Sequence, residues 1–341
     1  MNITYLFGAG ASKNAIPIND TLHASMHLEF QNLKEELKTK QGEICDKSIN
    51  PYITQSLIDG FLNDYNFILI ESQRHQSIDT YAKKLYITAD FENLKKLKSI
   101  LSIYFTLIQS RKNSDERYDS FFASILEESQ NVFPKNLKIL SWNYDYQFEK
   151  AYSIYFNDAR LSAIATNLKI YSKNTRLSYV DNENFGIFKL NGTAAFILDK
   201  NENTLYHAIE NINNEYNVKL IRTVLANYAS LHHLDKTKNN LISTISFAWE
   251  DYNNGKFIVN KAIEFTVNTH ILVVIGYSFP FFNRKVDRDI LRAMRQLKRV
   301  YFQAPDAEEI RERFLAIRND IPKEDLLIRT DLKQFVFPNE F

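Results

Sequence analysis

The chain has one cysteine, Cys45, among 341 residues. A single thiol forms no internal disulfide, so the fold needs no oxidising compartment. It also excludes any multi-cysteine zinc site. Charge of one sign is missing as well. Lys+Arg 42 against Asp+Glu 41 leaves +1, which supplies no bulk drive toward nucleic acid or an anionic membrane. No apolar run approaches the roughly 18 residues that a spanning helix needs. The stretch from Met1 to Gly8 has no basic region and no cleavage site, so structure is expected to begin at once, with the cytosol as the default location. Repeats are absent, and the polar linkers are limited to Asn-rich loops at 182–184, 211–217 and 239–240.

What is present is an ordinary globular mixture, 45% hydrophobic and 24% charged, in which aromatic residues reach 13% and argue against disorder. The length allows one large domain or two ordinary ones. Ile3–Phe7 reads as a short buried strand ending in Gly8-Ala9-Gly10-Ala11-Ser12. A helical stretch follows, with helices expected over Leu22–Lys40, Tyr52–Phe67, Ile78–Ala89, Phe91–Leu107 and Tyr118–Glu128, and with Asp79 and Asp90 as N-caps. Beyond it, strands are expected at Leu137–Ser141, Phe185–Leu190, Leu241–Phe247, Ile271–Ile275 and Val300–Gln303. Helices are expected from Gln147 to about Phe156, over Lys256–Asn268 and from Arg284 to Lys298. Strands alternating with helices predict an α/β domain with a mainly parallel, Rossmann-like sheet, interrupted by a helical insertion subdomain at about 20–130. The glycine-containing and polar motifs fall at strand C-terminal ends, where open α/β sheets bind ligands.

Gly8-Ala9-Gly10-Ala11-Ser12 follows its strand directly. Small residues let backbone N–H groups approach a phosphate, and Ser12 adds a hydroxyl donor. Lys13 stands where a dinucleotide fingerprint has its third glycine, and the Walker lysine-threonine pair is missing. A plain tight turn is the alternative. Three further motifs follow strands: Trp142-Asn143-Tyr144-Asp145, Lys189-Leu190-Asn191-Gly192-Thr193 and Gly276-Tyr277-Ser278-Phe279. Taken singly, Asn143 reads first as an Asx-turn residue and Asp145 as a helix N-cap, and only the series of motifs reverses that order.

The four motifs in this order resemble the sirtuin catalytic domain, specifically the sirtuin-like domains of bacterial anti-phage defence proteins, over Ile3 to about Gln303. The resemblance implies a single sirtuin-like domain over 1–341 of the sirtuin/deoxyhypusine-synthase-like fold. It also implies that Gly8, Ala9, Gly10, Ala11 and Ser12 wrap the pyrophosphate of NAD+. Ile16-Pro17 resembles the family's Ile-Pro, after which Ile18-Asn19-Asp20 departs from Asp-Phe-Arg. Asn143 and Asp145 match the family's Asn-x-Asp, which acts at the nicotinamide ribose. Gly276, Tyr277 and Ser278 match the Gly-x-Ser over the adenosine ribose, and Asp287 is a candidate for the same half of the nucleotide. Gly192 and Asn191 match Lys-Leu-His-Gly-Ser, with asparagine in place of the histidine base. An amide does not accept and hold a proton as imidazole does. Asn191 then only orients water or ribose, or a histidine substitutes (His23, His207, His232 or His233, with His207 preferred because it follows the Asn191 segment closely), or the domain binds without cleaving. The resemblance implies NAD+ as substrate, no metal, and an NAD+ glycohydrolase that releases nicotinamide and depletes the infected cell. It further implies control through a homo-oligomer or a separate sensor protein (an ATPase, nuclease or Argonaute-like protein), while the balanced charge and the short apolar runs predict no direct nucleic-acid or membrane binding. The alternative is a non-catalytic NAD- or ADP-ribose-binding scaffold subunit.

Overall fold

A computed structural model describes residues 1–126, 132–172, 180–194, 196–199, 205–207, 209–213, 215–232, 241–247, 249–250 and 257–341, with backbone alone for 19–20, 196, 198–199 and 205–207. The chain forms two compact units, one of Met1–Lys13, Ser114–Gly192 and Ser246–Phe341, the other of Asn14–Asn113 and Thr193–Ile245.

The first unit is built on β1 (Ile3–Phe7), β2 (Leu137–Ser141), β3 (Ile170–Ser172), β4 (Gly186–Lys189), β8 (Ile271–Ile275), β9 (Arg299–Gln303) and β10 (Leu326–Arg329). The strands form one seven-stranded sheet in the order β10-β9-β8-β1-β2-β4-β3, and every pairing is parallel. Strands β1, β2 and β8 read as near-continuous apolar runs because both faces of the sheet are covered. Their alternation decides which side chain meets which layer. Leu6, Leu140, Phe188, Leu272, Val274 and Phe302 share a core with the helices α10 (Phe257–Thr266), α11 (Arg284–Ala293) and α12 (Ala307–Leu315). Tyr5 and Phe7 face the other way. They meet Tyr118 and Phe121 of α6 (Glu116–Ile125), Phe148 of α7 (Gln147–Tyr152), and Phe335 and Phe337 near the C-terminus. A short helix α8 (Leu161–Asn167) precedes β3.

The second unit holds α1 (Asn19–Thr39), α2 (Gln41–Ile44), α3 (Gln55–Gln73), α4 (Ile78–Ile87), α5 (Phe91–Ser110) and α9 (Val218–Leu231), with an antiparallel sheet β6-β5-β7 (Leu205–His207, Phe196–Asp199, Leu241–Ser243). Helix α5 is apolar nearly all round from Ile100 to Ile108 and is buried accordingly. Side chains of Thr54, Ser77, Asp90 and Asn217 cap α3, α4, α5 and α9.

Several boundaries differ from the sequence reading for identifiable reasons. Ser77, not Asp79, caps α4 by accepting from the Thr80 amide, and Asp79 lies in the first turn, where its charge still suits the helix dipole. Helix α7 stops at Tyr152 and α11 at Ala293. Helix α6 begins after Asp115 and belongs to the first unit. The strand expected over Leu241–Phe247 covers Leu241–Ser243 only, and it pairs antiparallel with β5. Strands β3, β5, β6 and β10 and helices α2, α8, α9 and α12 add to the expected set. No helix among the described residues is long and apolar enough to cross a membrane.

Candidate functional site

Strand β1 has β8 on one side and β2 on the other, and the chain leaves it toward β2, so its carboxyl end is a topological switch point. The four motifs leave the carboxyl ends of β1, β2, β4 and β8, four strands contiguous in the sheet. The ladder holds beyond the strand ends. Trp142 donates its amide to the Phe7 carbonyl, Gly8 to Ile275 and Leu190 to Ser141, each at 2.9 Å.

The glycines serve a loop-to-loop contact. A Cβ on Gly8 would stand 2.6 Å from the Tyr277 Cα, and one on Gly276, whose φ is +57°, would stand 2.5 Å from the Ala11 amide nitrogen. Only glycine permits this approach, and it takes this backbone angle without strain. The Gly10 amide donates to the Gly276 carbonyl at 3.0 Å, and the Ala11 amide to the Gly8 carbonyl at 2.9 Å. Ala9 is exposed at the start of the single 3₁₀ turn Ala9–Ser12, and Gly10 is half-buried.

Ser12 turns inward. Its hydroxyl donates to Asp145 Oδ2 at 2.8 Å, lies 2.9 Å from the Tyr118 hydroxyl, and accepts from the Asn143 amide group at 3.3 Å. Asp145 accepts the Gln147 amide on Oδ1 at 3.1 Å, the Asx-type link expected of an aspartate just before a helix. Ser12, Asn143 and Asp145, predicted from different motifs, thus form one buried cluster. Beneath it Lys189 donates to the Asp145 carbonyl at 2.7 Å and to both oxygens of Glu149 at 2.6 and 2.9 Å. Burial raises the Asp145 carboxyl above its usual range, while the Lys189 charge and its hydrogen bonds oppose the rise. Burial holds the Tyr118 phenol well above 10, with the Asp145 charge adding to it.

Asn191 donates its amide group to the Trp142 carbonyl at 3.0 Å. A carbonyl only accepts, so this bond fixes which amide atom is the nitrogen. The amide oxygen is buried and has no hydrogen-bond partner. Gly192 continues the turn at φ +72°. Tyr277 stacks on Trp142 with ring planes 9° apart, and its hydroxyl donates to Asp287. Asp287 is 2% exposed with Tyr277 against both oxygens, so it supports the Tyr277 ring, and burial drives its carboxyl well above the usual range. Ser278 is exposed. Pro17 and His207 belong to the second unit, Pro17 half-buried ahead of α1 and His207 on β6 opposite Phe196. In that unit His23 bonds the Leu69 carbonyl at 2.9 Å, and His232 follows α9. His233 lies outside the described residues.

Sequence reasoning missed the supports. Arg117, Asp115, Gln147, Glu149 and Tyr118 sit in helices α6 and α7 or at their starts, with the helical spacing of ordinary core and surface residues. The one available signal was their charge or amide at positions that the helix buries. Among the described residues no group of three His, Cys, Asp or Glu side chains is arranged to hold a metal. No protein-family model matches the chain, and no curated protein matches it.

Proposed function

We propose that the chain is a sirtuin-like NAD+ glycohydrolase, which cleaves the bond between nicotinamide and ribose and releases ADP-ribose. The observation that carries this reading is the meeting of four separate loops at the switch point of a parallel sheet, with Ser12, Asn143 and Asp145 in one hydrogen-bonded cluster. Asn191 tests the fit of the ligand. Its unpartnered buried oxygen is an acceptor awaiting a donor, such as a ribose hydroxyl or a water.

In this reading water adds to the anomeric carbon as the C–N bond breaks, nicotinamide leaves with the bond electrons, and a proton passes to solvent. Asn191 orients the attacking oxygen or the ribose without taking the proton. Asn143 is the amide at the ribose. Asp145, with one oxygen on Ser12 and the other on the Gln147 amide, acts at one remove by fixing Ser12. By its resemblance the activity serves bacterial anti-phage defence by NAD+ depletion, switched on within a homo-oligomer or by a separate sensor protein.

A second reading, an NAD+- or ADP-ribose-binding scaffold subunit, has its own observation. The first unit holds one histidine, His270, which lies just before β8 at the amino edge of the sheet and accepts the Asn2 amide. No imidazole of that unit stands at its carboxyl edge. Incubating the purified chain with NAD+ and measuring nicotinamide separates the two. Release by wild type, lost in Asn143→Ala, supports the hydrolase. Tight NAD+ binding without release, restored to turnover by Asn191→His, supports the scaffold.

A further inference from the structure

We propose that Arg117 is the positioning residue that holds the Gly8–Ser12 loop in its ligand-ready form. The loop's ligand rests on the NAD+ reading above, and the brace itself does not. Arg117 is 4% exposed and makes a two-point ion pair with Asp115, Nε to Oδ1 at 2.9 Å and Nη2 to Oδ2 at 2.6 Å. With its charge neutralised and its head out of solvent, it is not an anion site. The same Nη2 donates to the Ala11 carbonyl at 2.8 Å and to the Gly10 carbonyl at 3.3 Å. The guanidinium suits this task, because its rigid fork engages the carboxylate at two points while the same Nη2 also reaches the carbonyls.

Two successive carbonyls held at one point fix two peptide planes, and in a trans peptide each N–H points opposite to its carbonyl. Arg117 therefore sets the direction of the Ala11 and Ser12 amides. Gly10 is held in opposite senses, its amide by the Gly276 carbonyl and its carbonyl by Arg117. The support closes into a ring. The Asp115 amide donates to Gln147 Oε1 at 2.8 Å, the Gln147 amide donates to Asp145, Asp145 receives Ser12, and Ser12 returns to the loop. The Phe335 ring lies 5.2 Å from the guanidinium carbon and covers it. The links from Ala11 through Arg117, Asp115, Gln147 and Asp145 to Ser12 are buried, so the ring binds the loop after β1, the start of α6 and the loop after β2 as one body.

The test compares the wild-type full chain with Arg117→Lys and with the charge-balanced double variant Asp115→Asn/Arg117→Gln, which leaves no unpaired buried ion. Thermal melting first establishes that each folds cooperatively. Amide hydrogen exchange without ligand is then read over residues 8–12. The double variant is expected to speed exchange there about tenfold, with little change in β8 or α10, because local opening is governed by local contacts. In NAD+ hydrolysis the KM is expected to rise about tenfold and kcat to fall less, the pattern of lost uniform binding. Arg117→Lys recovers part of both effects, since one donor remains. Unchanged exchange over 8–12 in a folded double variant overturns the proposal, as does an equal loss in all segments. A wild-type chain that neither binds nor cleaves NAD+ counts against the NAD+ reading alone, and the exchange comparison still decides the brace.

Discussion

Replacing Lys189 by methionine should unbalance the buried ion pair under the candidate site. Lys189 and Glu149 have side chains 1% and 0% exposed, with the closest N···O contact at 2.6 Å. At an effective dielectric of about 20, charges at that separation attract by ~6 kcal/mol, and the desolvation of both ions offsets much of it. Removing the cation keeps the desolvation of Glu149 and deletes the attraction, for which a loss of ~3–5 kcal/mol is typical. The Asp145 carbonyl loses its donor as well, and the Asp145 carboxyl loses the opposing positive charge. At roughly 1.4 °C per kcal/mol for 341 residues the melting temperature should fall by roughly 4–7 °C. The double variant Lys189→Met/Glu149→Leu should recover most of that loss, because apolar replacements of a buried pair are often neutral. Urea denaturation at neutral pH, compared through midpoints at constant m, measures all three proteins. A single variant within ~1 kcal/mol of wild type, or a double variant no more stable than the single, would refute this reasoning.

Gly8→Ala and Gly276→Ala each drive a Cβ to within 2.6 Å of the neighbouring backbone and should cost at least ~1–3 kcal/mol in chemical denaturation. Gly60→Ala, inside α3 with open space around it, should instead add ~0.5–1 kcal/mol in the same assay. The Asp287 carboxyl is raised in the folded state, so its favourable contribution is complete below the unfolded value of about 3.9 and is lost as pH rises through the folded value. Asp287→Asn should therefore flatten the decline of stability above about pH 4, with Tyr277 keeping an acceptor. Thermal melts from acid to neutral pH read this directly. A slope unchanged by the substitution would assign the decline to other groups, Asp145 first.

The sheet was legible because parallel strands buried on both faces are continuous apolar runs. Ile271–Ile275 is such a run, five residues bounded by Gly276, and Leu137–Ser141 is one interrupted by Lys138. The weaker strands were not legible. Ile170–Ser172 and Leu205–His207 are three residues each, too short for a period, and they become strands through their partners. The motif residues could be named because glycine, asparagine and aspartate after a strand are few. Their supports could not. Arg117 looks like an ordinary charged residue and Lys189 like the first residue of a motif, and only the fold brings Asp115 and the Gly10–Ala11 carbonyls to the one, and Glu149 to the other. The purpose of the glycines was also hidden. Sequence alone suggested close approach to a phosphate, and the approach that demands them is that of the Gly276–Tyr277 backbone.

Hydrogen exchange of the wild-type chain with and without saturating NAD+ tests the central claim most directly. Four segments from the carboxyl ends of β1, β2, β4 and β8 should be protected together, namely 8–13, 142–146, 190–193 and 276–279. Protection of none of them, or of one without the others, would contradict a shared dinucleotide site.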